Sequence, residues 1–293
     1  LSGREAAGMI SLSAVAHAKL NLTLDVLGRR ADGYHNLEMV MQEISLGDAL
    51  ELEIGTGEPW HMECSTGEIP CDDSNLCIKA ARLFCEKTRI DCGGLTVRLT
   101  KYTPSCAGMG GGSADGASVL RLLWEHYDFP ISREALFELA EQTGSDVPFT
   151  LLGGTALARE KGQVLTVLPK LPMCHLVICK PDFPISTPAL FRAIDDAEIV
   201  ARPDTKGMIA ALEQGDLAGI AHRLSNVFTP VVAKEHPEIG EIRDVMLSSG
   251  ALGAEMTGSG PTVFGIFQDQ EQAAQCHTRL KARYRDTFLA HPV

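Results

Sequence analysis

Four glycines fall within the ten residues Pro104-Ser105-Cys106-Ala107-Gly108-Met109-Gly110-Gly111-Gly112-Ser113, directly ahead of an apolar helical pattern. In such a turn successive backbone N–H groups converge at the positive end of a helix dipole, an arrangement that suits a phosphate. Glycine lets the backbone approach the anion with no side chain in the way, and Ser113 adds a hydroxyl at the helix start. The spacing is not GxxxxGK[ST], because no lysine follows the last glycine, and it does not sit where a dinucleotide-type GxGxxG would open a βαβ unit. Alone, the segment indicates an anion site; its plain alternative is a flexible turn with incidental glycines.

Phosphoryl transfer would need three further parts: donors on the phosphates, a cation against the developing charge, and a carboxylate near the attacking hydroxyl. Asp146 is the candidate carboxylate. Gly144-Ser145 precede it and Val147-Pro148-Phe149 follow, which places a charge in a tight apolar setting, although an Asp that only caps a turn fits the same pattern. Lys19 and Asn21 alternate with Leu20 and Leu22 and so share one strand face, where they could meet one ligand together. From spacing alone, a solvated strand face explains them equally well. Tyr34 and His35 follow an Asp-Gly turn, and an aromatic plane beside an imidazole suits stacking and edge recognition of a base; ordinary loop residues are the alternative. Thr257-Gly258-Ser259-Gly260-Pro261 is a second small-residue turn between two predicted strands. It is a hairpin unless it faces the first glycine turn.

The elements that must position these residues follow from periodicity. The opening is mostly sheet: a strand over Ser11–Leu27, then strand-like runs over Met39–Ile44 and Leu50–Ile54. An N-cap within Asp73-Ser74-Asn75 starts a helix that runs to Lys87, and a strand over Leu95–Thr100 leads to the glycine turn. Helices are predicted over Ser113–Tyr127 and Ser132–Thr143, and short strands over Thr155–Arg159 and Val164–Leu168. Pro169–Pro172 marks a domain boundary. Beyond it the spacing predicts a strand over His175–Lys180, helices near Pro188–Asp195, Thr205–Glu213 and Ile239–Ser248, strands over Leu252–Thr257 and Thr262–Gln268, and a final helix.

Composition narrows the class. Hydrophobic residues make up 45% and charged residues 22% of 293 residues, which describes an ordinary folded protein of one large or two moderate domains. Thirty-eight acidic against 26 basic side chains give a formal charge of −12, which opposes non-specific attraction to nucleic acid. Nine scattered cysteines form no CxxC pair and no zinc spacing, as expected of reduced cytosolic thiols. No apolar run approaches the roughly 20 residues of a membrane span, so no membrane partner is expected and the cytoplasm is the expected location. Met9 reads as the natural start, with Leu1–Gly8 appended.

Taken in order, Ala18-Lys19-Leu20-Asn21-Leu22, Ala31-Asp32-Gly33-Tyr34-His35, Ala107 to Asp115, Gly144-Ser145-Asp146-Val147-Pro148-Phe149 and Thr257 to Pro261 resemble the GHMP kinase superfamily over nearly the whole chain. The resemblance implies a two-domain α+β fold. Residues 1–168 would be an ATP-binding domain like a ribosomal S5 module and residues 169–293 a ferredoxin-like domain, with catalysis in the cleft between. Within the superfamily, Gly33-Tyr34-His35 is similar to the branch that moves the ATP γ-phosphoryl onto the 2-hydroxyl of a cytidyl-diphosphate-linked methylerythritol, in the non-mevalonate route to isoprenoid precursors. Homoserine, mevalonate and galactose kinases have no cytosine to stack.

Carried over by position, the resemblance makes Asp146 the base and Lys19 its partner. Pro104 and Ala107 to Ser113 would bind ATP together with Asn75 and Lys101 near the adenosine. Asn21, Thr187, Thr257 and Ser259 would hold the substrate, Tyr34 and Phe191 would sandwich the cytosine, and His35 would read its edge. Magnesium would arrive as Mg-ATP, with no metal site of the protein's own, and the chain would act as a monomer or homodimer. Departures fall at Glu160, where the family has glycine, Gln163 for glutamate, Thr103 for isoleucine and Val227 for aspartate. The Glu160 and Val227 departures leave open a catalytically silent nucleotide binder, which would release no ADP in response to substrate; a kinase of another small alcohol, for which Tyr34→Ala would barely change KM, is a separate alternative.

Overall fold

The computed structural model describes residues 9–197 and 199–293, so the reading of Leu1–Gly8 as appended lies outside the described residues. Two compact units interleave along the chain. One takes the described residues up to 17, then 47–105 and 111–151; the other takes 18–46, 106–110 and the described residues of 152–293. Strands β1 (Ile10–Arg29) and β2 (His35–Ile54), each 20 residues long, contribute a stretch to both. The two runs expected within β2 are thus one strand. Gly47 explains the continuity: a Cβ there would sit 2.7 Å from the Ala16 carbonyl oxygen, so only a residue without a side chain lets the strand pass.

In the first unit, β3 (His61–Cys64), α1 (Leu76–Thr88), β4 (Leu95–Thr100), α2 (Gly111–His126), α3 (Arg133–Thr143) and α4 (Val147–Leu152) follow in order. β4 pairs antiparallel with β2 and parallel with β3, and the register sets Leu52, Val97 and Met62 in one buried row. With Leu50, Leu95, Phe84, Val119, Leu120 and Leu123 they make the core of this unit. Burial of each such side chain is worth about 1.5–3 kcal/mol. Asn75 starts α1 as expected, its Oδ1 accepting from the Cys77 N–H at 2.9 Å. Gly116 lets α2 approach α1, since a Cβ would lie 3.1 Å from the Leu76 carbonyl oxygen.

In the second unit, β2 pairs with β5 (Thr155–Glu160), which forms a hairpin with β6 (Val164–Val167). Then come β7 (His175–Lys180), α5 (Thr187–Asp195), α6 (Thr205–Gln214), α7 (Leu217–Ala221), β8 (Ser225–Asn226), α8 (Thr229–Glu235), α9 (Glu238–Ser248), β9 (Gly253–Met256), β10 (Val263–Phe267), α10 (Gln270–Lys281) and β11 (Asp286–Ala290). The antiparallel sheet β11-β7-β10-β9, with α9 between β7 and β9 and α10 between β10 and β11, has the strand order 4-1-3-2 of a ferredoxin-like βαββαβ unit. Segments α5 to α8 and β8 are inserted after its first strand. Leu20, Leu22, Ile178, Phe264 and Ile266 are central to this unit's core.

The β5–β6 turn holds two of the departures. Glu160 has φ 59°, a left-handed conformation that costs an L-residue with a side chain about 1–2 kcal/mol and that glycine adopts freely. Gln163 accepts from the Lys161 N–H at 2.9 Å and donates to Glu160 Oε2 at 3.1 Å, a bond a glutamate at 163 could not donate. Glu160 and Gln163 therefore act as a matched pair. All nine cysteines are free.

Candidate active site

α2 begins at Gly111, two residues ahead of the expected Ser113, so Gly111, Gly112 and Ser113 form its first turn. The leading N–H groups of a helix have no partner within it. Beneath this turn lies a buried ion triad. Lys101 Nζ bonds the carboxylates of Asp48 and, at 2.8 Å, of Asp115, and all three side chains are at most 8% exposed. Asp48 also accepts the N–H groups of Tyr102 (2.6 Å) and Thr103 (2.7 Å), which fixes the chain as it leaves β4 toward the glycine turn. Gly111 packs onto this base: a Cβ would lie 3.0 Å from Thr103 Cγ2 and 3.4 Å from Lys101 Nζ.

Burial works against the Lys101 charge, and the Asp115 and Asp48 carboxylates more than offset it, holding the ammonium above the usual lysine range. Burial pushes the Asp115 carboxyl up to about 7, with Lys101 opposing and Asp48 reinforcing the shift. Asp115 Oδ1 and the hydroxyl of Thr103 are buried without hydrogen-bond partners among the described residues. Lys101, expected near an adenosine, thus has its ammonium set between two carboxylates. Asn75, expected there too, is occupied in capping α1 and in donating to the Pro70 carbonyl at 2.8 Å.

Asp146 directly precedes α4, a helix the sequence pattern did not reveal. The Thr150 hydroxyl lies 3.1 Å from the Ser113 carbonyl and 3.2 Å from that of Asp146, and the Thr150 N–H donates to the same Asp146 carbonyl at 3.1 Å. One threonine therefore ties the backbone of Asp146 to the first turn of α2.

In the second unit the two small-residue turns pack backbone to backbone. Gly108 (φ 72°) and Gly258 (φ 58°) interlock, since a Cβ on Gly108 would lie 2.5 Å from the Thr257 carbonyl oxygen and one on Gly258 2.5 Å from that of Gly108. Both are anchored on β1: the Lys19 N–H donates to the Met109 carbonyl and the Asn21 N–H to Thr257 Oγ1, each at 2.9 Å. Lys19 Nζ donates to Asn21 Oδ1 at 2.8 Å. Lys19 is 4% and Asn21 0% exposed, so the solvated-face reading is corrected: both side chains are buried. Asn226, 3% exposed, donates to the carbonyls of Met256 (2.9 Å) and Gly258 (2.8 Å) and clamps the second turn, and its neighbour Val227 is buried. Thr187 and Ser259 share a hydrogen bond of 2.9 Å. Ala107 and Met109 put their side chains into the apolar core, which leaves only their backbone for a ligand, while Pro104 is half-buried and Gly110 has φ 66°.

The residues expected to recognise a base form a third group, also in the second unit. His35 stacks on Phe191 with ring centroids 4.8 Å apart, and Phe228 meets Phe191 edge-on at 5.0 Å. Tyr34 is 60% exposed, with Lys161 Nζ 5.6 Å from its ring centroid. Asp48, Asp115 and Thr150 were given no role by sequence reasoning. Asp48 follows Gly47 between the two predicted strand-like runs, and Asp115 lies at the end of the Ala107 to Asp115 segment; the one available signal is a charged residue in an apolar pattern.

Among the described residues no cluster of three His, Cys, Asp or Glu side chains is arranged to hold a metal ion. No described helix is long and apolar enough to cross a membrane.

The family profile "GHMP kinases N terminal domain" matches residues 75–154 and "GHMP kinases C terminal" matches residues 208–286. A 4-diphosphocytidyl-2-C-methyl-D-erythritol kinase from Pelotomaculum thermopropionicum is 45% identical over 276 residues, 94% of each chain. A second so named, from Clostridium novyi, is 39% identical over 95% of this chain and 99% of its own. A crystal structure of 4-(cytidine 5'-diphospho)-2C-methyl-D-erythritol kinase superposes with TM-score 0.81 at 32% identity, covering 96% of this chain and 99% of that one. Homoserine kinase from Cytophaga hutchinsonii, at 17% identity and TM-score 0.75 over 100% and 96% of the two chains, shares the fold.

Proposed function

The chain belongs to the GHMP kinases and, within them, to the 4-diphosphocytidyl-2-C-methyl-D-erythritol kinases, and from that premise we propose that it transfers the ATP γ-phosphoryl to the 2-hydroxyl of that cytidyl alcohol. The products are the 2-phosphate and ADP, a step of the non-mevalonate route to isoprenoid precursors.

One observation carries the assignment of the phosphate site. Gly112, on the first turn of a 16-residue helix, is exposed, and among the described residues a Cβ there would meet nothing nearer than Leu76 Cδ1 at 4.0 Å. No contact among the described residues requires glycine at 112, whereas a phosphate seated on the N–H groups of Gly111, Gly112 and Ser113 would. Pro104 and Ala107 to Gly110 continue the cradle through their backbone. Asp146, whose backbone Thr150 ties to that turn, takes the proton of the attacking hydroxyl, and Lys19 supplies positive charge. Asn21, Thr187, Thr257 and Ser259 hold the alcohol, and Tyr34, His35 and Phe191 hold the base. Asn75 and the neighbourhood of Lys101 serve the adenosine. Magnesium, bound through hard phosphate oxygens, enters with ATP and neutralises charge on its β and γ groups.

In this proposal residues 1–168 form the ATP-binding domain and 169–293 the C-terminal domain, working in the cytoplasm as a monomer or homodimer. Asp146→Asn should lower kcat by about 10²- to 10⁴-fold, the range for a positioned acid–base group, with little change in ATP affinity. Unchanged turnover would remove Asp146 from the mechanism.

A further inference from the structure

Phe191 and Asp195 lie four residues apart on α5 and so on one helix face, and both meet His35. The imidazole stacks on Phe191, and its Nε2 lies 2.7 Å from Asp195 Oδ1. His35 is the more buried partner, with 8% of its side chain exposed against 32% for Asp195. His35 Nδ1 has no partner among the described residues.

A carboxylate only accepts hydrogen bonds, so its contact requires the proton on Nε2. In a neutral imidazole that leaves Nδ1 with a lone pair, an acceptor. On the pairing edge of cytosine the exocyclic N4 amino group is the one donor; N3 and O2 are acceptors. Uracil presents the O4 acceptor where cytosine has N4, so the same Nδ1 would meet a second lone pair.

We propose that Asp195 is a specificity-determining residue: by fixing the His35 tautomer it makes the site accept a cytidyl and refuse a uridyl group. This rests on the kinase reading above and names what sets its base preference. Asp195 works through His35 and is a positioning residue. A role confined to holding the helix or the ring in place would affect both bases alike.

The test compares wild type, Asp195→Ala and Asp195→Glu with the cytidyl and uridyl diphosphate derivatives of the same alcohol, together with ¹⁵N spectra of the His35 ring. Wild type should favour the cytidyl substrate and show a proton on Nε2 and a lone pair on Nδ1. Asp195→Ala should mix the tautomers and erode the cytidyl preference by roughly 10- to 100-fold, through KM and not kcat. Asp195→Glu should retain much of the preference. Equal loss with both substrates in Asp195→Ala, or a wild-type proton on Nδ1, overturns the specificity claim and leaves the kinase standing. A wild-type enzyme inert toward the cytidyl substrate overturns both.

Discussion

Gly108 and Gly112 stand in the same glycine-rich turn, yet a methyl group added to each would meet very different surroundings. At Gly108 it would press into the Thr257 carbonyl and face the backbone of Gly260 at 3.1 Å, on a residue whose φ of 72° already disfavours a side chain. At Gly112 it would come no nearer to another described residue than Leu76 Cδ1 at 4.0 Å, from an ordinary helical position. The first glycine is required by the protein's own packing, since it lets two turns of the second unit lock together. The second is required by no packing among the described residues. A glycine-rich motif therefore mixes two demands, and only the geometry separates the glycines that build the site from the one that receives a ligand.

The base under the first turn of α2 offers the hardest blow to that contrast. Lys101→Met would leave the Asp48 and Asp115 carboxylates buried together, and unfolding free energy should fall by about 3–5 kcal/mol at pH 8. Asp115, already pushed up to about 7, is protonated more readily in the folded than in the unfolded chain. That preference favours the fold in full below pH about 4 and is lost as pH rises through about 7, so the variant should lose less stability at pH 5 than at pH 8. Urea unfolding at the two pH values measures the difference; equal losses would mean that Asp115 does not hold the proton.

Gly108→Ala comes next, with an expected loss of about 2–4 kcal/mol from the clash and the left-handed backbone, seen as a lowered melting temperature. Gly112→Ala should leave the melting temperature within a degree or so, a surface change of roughly 0.5 kcal/mol or less. It should nevertheless raise the ATP KM about 10-fold or more, the scale of one displaced charge-assisted hydrogen bond. If the two variants behaved alike in both assays, the distinction between packing glycine and ligand glycine would be lost.

Much of this was legible beforehand where pattern is local. β4 and β7 occupy the predicted residues, and Asn75 and Ser132 cap α1 and α3, because period and cap chemistry need only neighbours in sequence. β3, α7, β8 and α8 are too short for a periodic signal, and β11 follows the last helix as a partner for β7, a pairing across more than 100 residues. α4 was hidden by Pro148, which its first turn tolerates. At the site, residue types indicated anion binding, but the burial of Lys19 and Asn21 depends on what covers β1. The locking of Gly108 against Thr257 depends on a contact 149 positions away, which no window of sequence contains.

The central claim is the reaction itself, and ADP release measures it directly. Purified protein with ATP and magnesium should release ADP with the cytidyl alcohol and remain near background with homoserine, mevalonate and galactose. Release with one of those three, and none with the cytidyl alcohol, would contradict the account.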